Sequence, residues 1–447
     1  MVSAAERLAS NVNFGAFSKA TELKQRIWFT LLALIVYRLG TYIPIPGMDA
    51  AVLEEIFSQQ AGGLLGMFDM FSGGALGRMT IFALNIMPYI SAAIIMQLMT
   101  AVSPKLEALK KEGEQGRKKI NQYTRYGTVL LAAVQAYGLA VGVEGMRGPS
   151  GSAVLDPGMF FRITTVITVV GGTVFLMWLG EQITARGIGN GISLIIFSGI
   201  VANLPTALAS LFELSRTGAM SAGFIVLLLL LAIATVAVIV FMERAQRRIL
   251  VQYPKRQQGN KMYGGESSHL PLKLNTAGVI PPIFASSLLL MPVTVANFGG
   301  SSDSEWLNLV SAYLGHGQPL YLAFYLGMIV FFCFFYTAIV FNPEETADNL
   351  KRYGGFVPGI RPGKNTAAYL DYVLTRLTVL GAGYLAAVCL LPELLISQYA
   401  VPFYFGGTSL LIVVNVTMDT VAQIQSHLLA HQYEGLIKKS KLRGRRR

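Results

Sequence analysis

The stretch YLAFYLGMIVFFCFFYTAIVF, Tyr321 to Phe341, carries no charged residue in 21 positions. An α-helix rises 1.5 Å per residue, so this tract crosses about 30 Å, the hydrocarbon thickness of a bilayer. The pattern recurs on both sides of it. Apolar tracts lie near 27–42, 76–101, 123–143, 161–180, 190–210, 219–241, 275–297, 320–342, 370–392 and 405–424. Composition agrees: 53% of the 447 residues are hydrophobic and 13% charged, against about 25% charged in soluble domains. Mean hydropathy is +0.52. The reading is an all-α, polytopic membrane protein of ten spans.

An even number of spans puts both ends of the chain on one side, and the basic residues choose that side. Lys105, Lys110, Lys111, Arg117, Lys118 and Lys119 lie between spans two and three. Arg244, Arg247, Arg248, Lys255, Arg256, Lys261 and Lys273 lie between six and seven, and Lys351, Arg352, Arg361 and Lys364 between eight and nine. The alternate connections are poor in Lys and Arg: 43–60 and 298–319 have neither. The positive-inside rule therefore predicts a cytoplasmic segment 1–26, cytoplasmic loops 243–274 and 343–369, and a basic cytoplasmic tail 425–447. Glu6 and Glu22 precede the first apolar tract with no cleavage-like arrangement, so that tract reads as a retained span rather than a signal peptide. The connection 211–218 divides the spans five and five; an odd number per half requires any internal repeat to be inverted.

Local punctuation adds detail. LLGMFDMF, Leu64 to Phe71, is too short to span and is bracketed by Gly62, Gly63, Gly73 and Gly74. It is either a re-entrant turn folded into a protein-lined cavity or a lid lying on the bundle. Pro281 and Pro282, inside span seven, predict a bend there. GIGNG, Gly187 to Gly191, lacks the order of a nucleotide loop and reads as a tight turn between spans four and five.

Ion-coupled transporters place acids, bases or histidines near the membrane midplane. Here the span interiors hold very few. Arg38, Arg125, Arg162, Asp371, Arg376 and Asp419 lie near span ends, where snorkelling or a local partner accounts for them. Asn85, Gln97, Asn275 and Asn415 suit interhelical hydrogen bonding. Cys333 and Cys389 sit inside apolar tracts and form neither a metal-ligand pair nor a disulfide framework by spacing. His427 and His431 lack the further ligands a metal site needs. The sequence thus points away from an enzyme and offers no cofactor or metal site. The basic loops are either ordinary positive-inside loops, partly neutralised by anionic lipid, or a docking surface for RNA or an acidic protein. A secondary solute transporter and a purely structural assembly subunit remain competing functions; the latter leaves the 64–71 tract and the large loops unexplained.

Strings distributed over nearly the whole chain resemble the SecY/Sec61 alpha family: IPIPG at 43–47, MFSGGALGR at 70–78, NIMPYISAAIIMQL at 85–98, KKEGEQGRKKINQYTRYG at 110–127, GEQITARGIGNGIS at 180–193, GVIPPIFASS at 278–287, FNPEETADNLKRYGGFVPGIRPGK at 341–364, PFYFGGTSLLIVV at 402–414 and QYEGLIKK at 432–439. The resemblance implies ten helices in two pseudo-symmetric inverted halves, 27–210 and 219–424, hinged at 211–218 around an hourglass pore. It implies a protein-conducting channel that passes unfolded secretory polypeptides across the bacterial plasma (inner) membrane and releases transmembrane segments laterally into lipid. It implies a pore ring at Ile86, Ile90, Ile192, Ile196, Ile283 and Ile412. A plug is implied within 62–74, at Leu64, Leu65, Gly66, Met67, Phe68, Asp69, Met70 and Phe71. Spans two and seven become the sides of a lateral gate with a polar cluster including Gln97 and Asn275. Arg361 matches the arginine that engages the motor ATPase SecA, and Arg244, Arg247, Arg248, Lys255 and Arg256 accompany it as docking candidates. Implied partners are the small subunits SecE and SecG, SecA, a translating ribosome, signal-sequence-bearing polypeptides, anionic lipid, the YidC insertase and SecDF. Asn85 stands where relatives often have glycine, and Asn415 interrupts an apolar run. Either would hydrate the pore seal if it faced the waist.

Overall fold

The computed structural model describes residues 21–49, 52–53, 56, 69, 72–148, 151–217, 221–254, 256–258, 261–263, 267–298, 318–399 and 407–444. Its helices are α1 (Thr21–Gly40), α2 (Met87–Val102), α3 (Pro104–Lys111), α4 (Glu114–Glu144), α5 (Met159–Arg186), α6 (Gly191–Ala202), α7 (Leu204–Arg216), α8 (Ala222–Arg244), α9 (Ile280–Phe298), α10 (Pro319–Val340), α11 (Pro343–Arg352), α12 (Lys364–Tyr399) and α13 (Gly407–Gly444). Among the described residues a helix falls at each of the ten expected spans. Seven helical segments are long and apolar enough to cross a membrane: α4, α5, α6 with α7, α8, α10 running on into α11, α12 and α13. A 98° bend at Ser103 turns α3 away from the apolar α2.

Span two is shorter than expected. Its helical part begins at Met87 rather than residue 76, because residues 72–86 form consecutive turns. Gly73, Gly74, Met79 and Asn85 all have φ between +45° and +85°, which interrupts a right-handed helix, and Pro88 in the first turn of α2 suits a helix start. The turns are buried. Ile45 N–H donates to Met79 O (2.9 Å) and Ile81 N–H to Ile43 O (3.0 Å), so a neighbouring strand-like segment satisfies backbone that no lipid could.

The bend predicted at Pro281 and Pro282 is not a bend. The prolines stand in the first turn of α9, where their missing N–H groups would have had no helical partner. The tail is also more ordered than a loop, since α13 continues from the last span to Gly444.

One apolar core joins most of the spans, including Tyr37 of α1, Ile94 of α2, Leu176 of α5, Ile195 of α6, Ile239 of α8, Ile329 of α10, Leu385 of α12 and Leu411 of α13. Outward residues such as Leu227, Leu230 and Ile233 on α8 are exposed and apolar, as lipid requires. Threonines inside the spans return their hydroxyls to the preceding turn, as Thr128 does to Thr124 O (2.7 Å) and Thr173 to Val169 O (3.0 Å). The four arginines near span ends have local partners. Arg125 is bidentate with Glu181, Arg162 pairs with Glu144 at 2.6 Å, Arg38 donates to Gly73 O at 2.7 Å, and Arg376 lies over the Tyr372 ring.

The two large basic loops form one body. Downstream of a small hairpin of β1 (Arg147–Gly148) and β2 (Gly151–Ser152), β3 (Gln246–Gln252) pairs antiparallel with β6 (Ser267–Lys273), in register from Gln246 opposite Lys273 to Gln252 opposite Ser267. Two smaller strands, β4 (Arg256–Gln258) and β5 (Lys261–Tyr263), extend the excursion. Gln252 and Phe356 exchange backbone hydrogen bonds at 2.9 Å each, tying this hairpin to loop 343–369. Ile249, Leu272, Val357, Leu370 and Leu377 form a core beneath that junction.

Candidate functional site

Four helices arrive at one point with isoleucine. Ile86 and Ile90 come from the start of α2, Ile196 from α6, Ile283 from the first turn of α9 and Ile412 from α13. These five line a single cavity of about 10 Å³, together with Asn85, Met87, Ser286 and Ser287. That volume holds about one water molecule at most. Ile192, the sixth residue of the expected ring, is on α6 one turn before Ile196. It packs against the same core near Gly180 and is not on the cavity wall.

Local sequence explains how the ring is presented. The turn ending at Asn85 sets the direction of Ile86, which caps α2 with φ −98°. Asn85 itself has φ +48°, a conformation glycine enters freely and asparagine more readily than most other residues. Its side chain is buried, lines the cavity and hydrogen-bonds Tyr37. Tyr37 donates to Ser72 O at 3.2 Å, so the cavity-facing turn is fastened to α1 and to the 72–77 segment. Asn415 faces elsewhere. Its side chain hydrogen-bonds Glu243 at the end of α8, as an interhelical fastener does.

Of the expected plug residues only Asp69 is among the described residues; Leu64, Leu65, Gly66, Met67, Phe68, Met70 and Phe71 lie outside them. Asp69 Oδ1 accepts from Gly77 N–H at 2.6 Å, and its backbone carbonyl accepts from Gly74 N–H and Ser72 Oγ, both at 2.9 Å. Burial pushes the Asp69 carboxyl above the ordinary carboxylate range, against the opposing pull of the Gly77 N–H and the Ser72 hydroxyl.

The expected gate helices α2 and α9 pack on one another. The hydrogen bonds of the polar pair do not run between Gln97 and Asn275. Asn275 Nδ2 donates to Glu243 Oε1 at 2.7 Å and to Gly278 O at 3.0 Å, and its Oδ1 accepts from Gly278 N–H at 3.1 Å. Gln97 Oε1 is buried without a hydrogen-bond partner. The reason is position: Asn275 precedes α9 and turns toward α8, whereas Gln97 is mid-helix in α2. Glu243 is the residue sequence reasoning missed. Its signal was an acid at the last turn of an apolar span, immediately before a basic run. Glu243, Asn275 and Asn415 line a cavity of about 320 Å³ with Asn190, Lys273 and Asp419.

Arg244, Arg247, Arg248 and Arg361 are exposed on the body formed by the two loops. Gly359 (φ +82°) and Gly363 (φ +104°) make the turns on either side of Arg361, conformations a Cβ would oppose. Arg256 lies in β4, and Lys255 lies outside the described residues.

Comparison with known proteins follows the same outline. The SecY family model matches residues 80–421. The protein translocase subunit SecY of Rickettsia conorii is 58% identical over 429 residues, covering 96% of this chain and 99% of its own. That of Escherichia coli K12 is 58% identical over 424 residues, covering 95% and 96%. Among solved structures, a protein-conducting channel superposes with TM-score 0.64 at 16% identity over 91% of this chain and 92% of that one. Sec61 from a canine ribosome–channel complex of the endoplasmic reticulum gives TM-score 0.60 at 16% identity over the same shares. At that identity the likeness speaks for the fold.

Proposed function

Because the chain belongs to the SecY family, whose members conduct polypeptides across membranes, we propose that the isoleucine cavity is the closed waist of its channel and that α2 and α9 flank its lateral exit. The observation that carries this reading is the convergence of five isoleucines from four helices on a space of about 10 Å³. A constriction of branched apolar side chains is costly to wet, so it excludes ions when idle, yet the same side chains close around an extended polypeptide. A sufficiently apolar segment held at the waist partitions into lipid when α2 and α9 part, since transfer of Leu, Ile, Phe and Val into the bilayer centre is favourable.

The protein is a multi-pass membrane protein. The excess of Lys and Arg in loops 243–274 and 343–369 and in the tail supports placing both termini in the cytoplasm of a bacterial cell, with the protein in its plasma membrane. The joined loops then project Arg244, Arg247, Arg248 and Arg361 into the cytoplasm as a docking surface for the SecA motor or a translating ribosome, which supply the driving energy. SecE and SecG complete the membrane complex, with anionic lipid around it and YidC and SecDF as further associates. In this scheme the chain itself is a conduit and hydrolyses nothing.

The test is photo-crosslinking from positions 86, 283 and 412 to a secretory precursor stalled in membranes that hold the complete complex. Signal-sequence-dependent crosslinks from all three support the waist. Their absence alongside measurable uptake of a small solute returns the chain to the transporter reading.

A further inference from the structure

The waist is apolar on most of its wall but not on all of it. Two serines of α9, Ser286 and Ser287, line the cavity beside the isoleucines. Ser286 is already committed, donating to Ile283 O at 3.0 Å. Ser287 is not. Its residue is 7% exposed and its Oγ is buried with no hydrogen-bond partner. A serine on a helix normally has an easy solution, since its hydroxyl can return to a carbonyl of the preceding turn, as Ser286 and many threonines of this chain do. Leaving a buried hydroxyl unmade costs its full desolvation, so an unpartnered Oγ on a residue that lines the cavity calls for a partner that comes within reach when the cavity opens.

We propose that Ser287 is a positioning residue for the translocating polypeptide, its hydroxyl hydrogen-bonding successive peptide groups as the extended chain crosses the isoleucine ring. The inference rests on the reading of that ring as the waist. Every residue of the moving chain except proline brings one N–H donor and one C=O acceptor into the constriction, and a purely hydrocarbon ring would strip both of water without replacement. A hydroxyl both donates and accepts, so it serves either group and imposes no preference for side chains, which a general channel requires. The resting cavity has room for about one water, so the chain reaches Ser287 only after the ring widens. Placement on α9 also draws the polypeptide toward the helix pair that opens to lipid.

The experiment uses the complete reconstituted translocon and a precursor of fixed length. Translocation time is compared for the parent, Ser287→Ala, Ser287→Val and Ser287→Thr. Val and Thr have the same shape and differ in the hydroxyl. Loss of one hydrogen bond at each passing residue is expected to slow Ser287→Ala and Ser287→Val by about three- to tenfold, with Ser287→Thr restoring most of the rate. Equal slowing by Thr and Val would mean that only side-chain volume matters, and a parental rate for Ser287→Ala would mean that no bond is made; either overturns the inference. Crosslinks from a photo-reactive residue at position 412 are read in the same membranes. If they form while the Ser287 series is flat, the hydroxyl role alone fails. If they do not form, the waist reading fails and this inference falls with it.

Discussion

Glu243 Oε1 accepts a 2.7 Å hydrogen bond from Asn275 Nδ2, joining the last turn of α8 to the segment that leads into α9. The same carboxyl group holds Asn415 of α13. The end of α8, the segment leading into α9, and α13 are therefore fastened at one acid, on the side of the bundle where the basic loops emerge. The fastener matters because α9 flanks the proposed exit, and any parting of α2 from α9 that displaces the start of α9 has to break or carry along this contact.

Substituting Glu243→Ala removes both bonds and frees the start of α9. Hydrogen bonds to a charged acceptor are worth about 1.5–3 kcal/mol, so the closed-to-open equilibrium should move toward open by about tenfold or more. Fluorescent probes on α2 and α9 in nanodiscs read the separation. An unchanged distance distribution would show that the contact does not restrain the gate.

At position 85 the usual ranking of alanine over glycine in helices should invert. The left-handed φ of +48° costs a residue with a Cβ about 1–2 kcal/mol, whereas glycine adopts it freely. Asn85→Gly should consequently lower the thermal midpoint of the purified complex less than Asn85→Ala, although both lose the hydrogen bond to Tyr37. Equal midpoints would contradict the backbone argument.

A polar residue in the ring should make the resting channel leak. Ile196→Asn places an amide in a cavity otherwise walled mainly by isoleucine, and the amide recruits water where about one molecule fitted before. Ion conductance in planar bilayers without precursor should rise above the parental level. A tight Ile196→Asn channel would mean that the seal lies elsewhere.

Asp69 makes the turns at 72–77 sensitive to pH. Its folded-state pKa is raised by burial, so the folded state holds the proton more tightly than the unfolded chain does. The resulting stabilisation is fully present below the ordinary aspartate value of about 3.9 and is lost as pH rises through the folded value. Amide hydrogen exchange at Gly74 and Gly77, corrected for intrinsic rates, should show more frequent opening as pH increases across that window. Asp69→Asn should flatten the dependence; a dependence that survives the substitution would place its origin in another group.

The amino-acid sequence by itself determined the membrane-spanning class and the approximate placement of the apolar helices, and its uneven Lys and Arg supply the basis for proposing a side for the basic loops. Those properties follow from one-dimensional quantities: the length of an uncharged run such as Tyr321–Phe341, and the distribution of Lys and Arg between runs. Bilayer thickness and the cost of moving charge across it convert both directly into topology. The motif strings likewise marked Ile86, Ile90, Ile196, Ile283 and Ile412, which the fold brings to one cavity. Only the tertiary structure decided what a periodic pattern cannot carry. It replaced the beginning of the apolar tract 76–101 by turns up to residue 86, where left-handed residues interrupt the helix and residues 43–45, far away in the chain, satisfy the backbone. It turned Pro281 and Pro282 into the start of a helix rather than a bend, moved Ile192 off the cavity wall, and gave Asn275 to Glu243 instead of Gln97. Each of these depends on which side chain meets a given backbone or polar group across the bundle. A hydrogen bond is directional and acts over about 3 Å, so its partner is chosen by three-dimensional proximity that neither hydropathy nor spacing specifies.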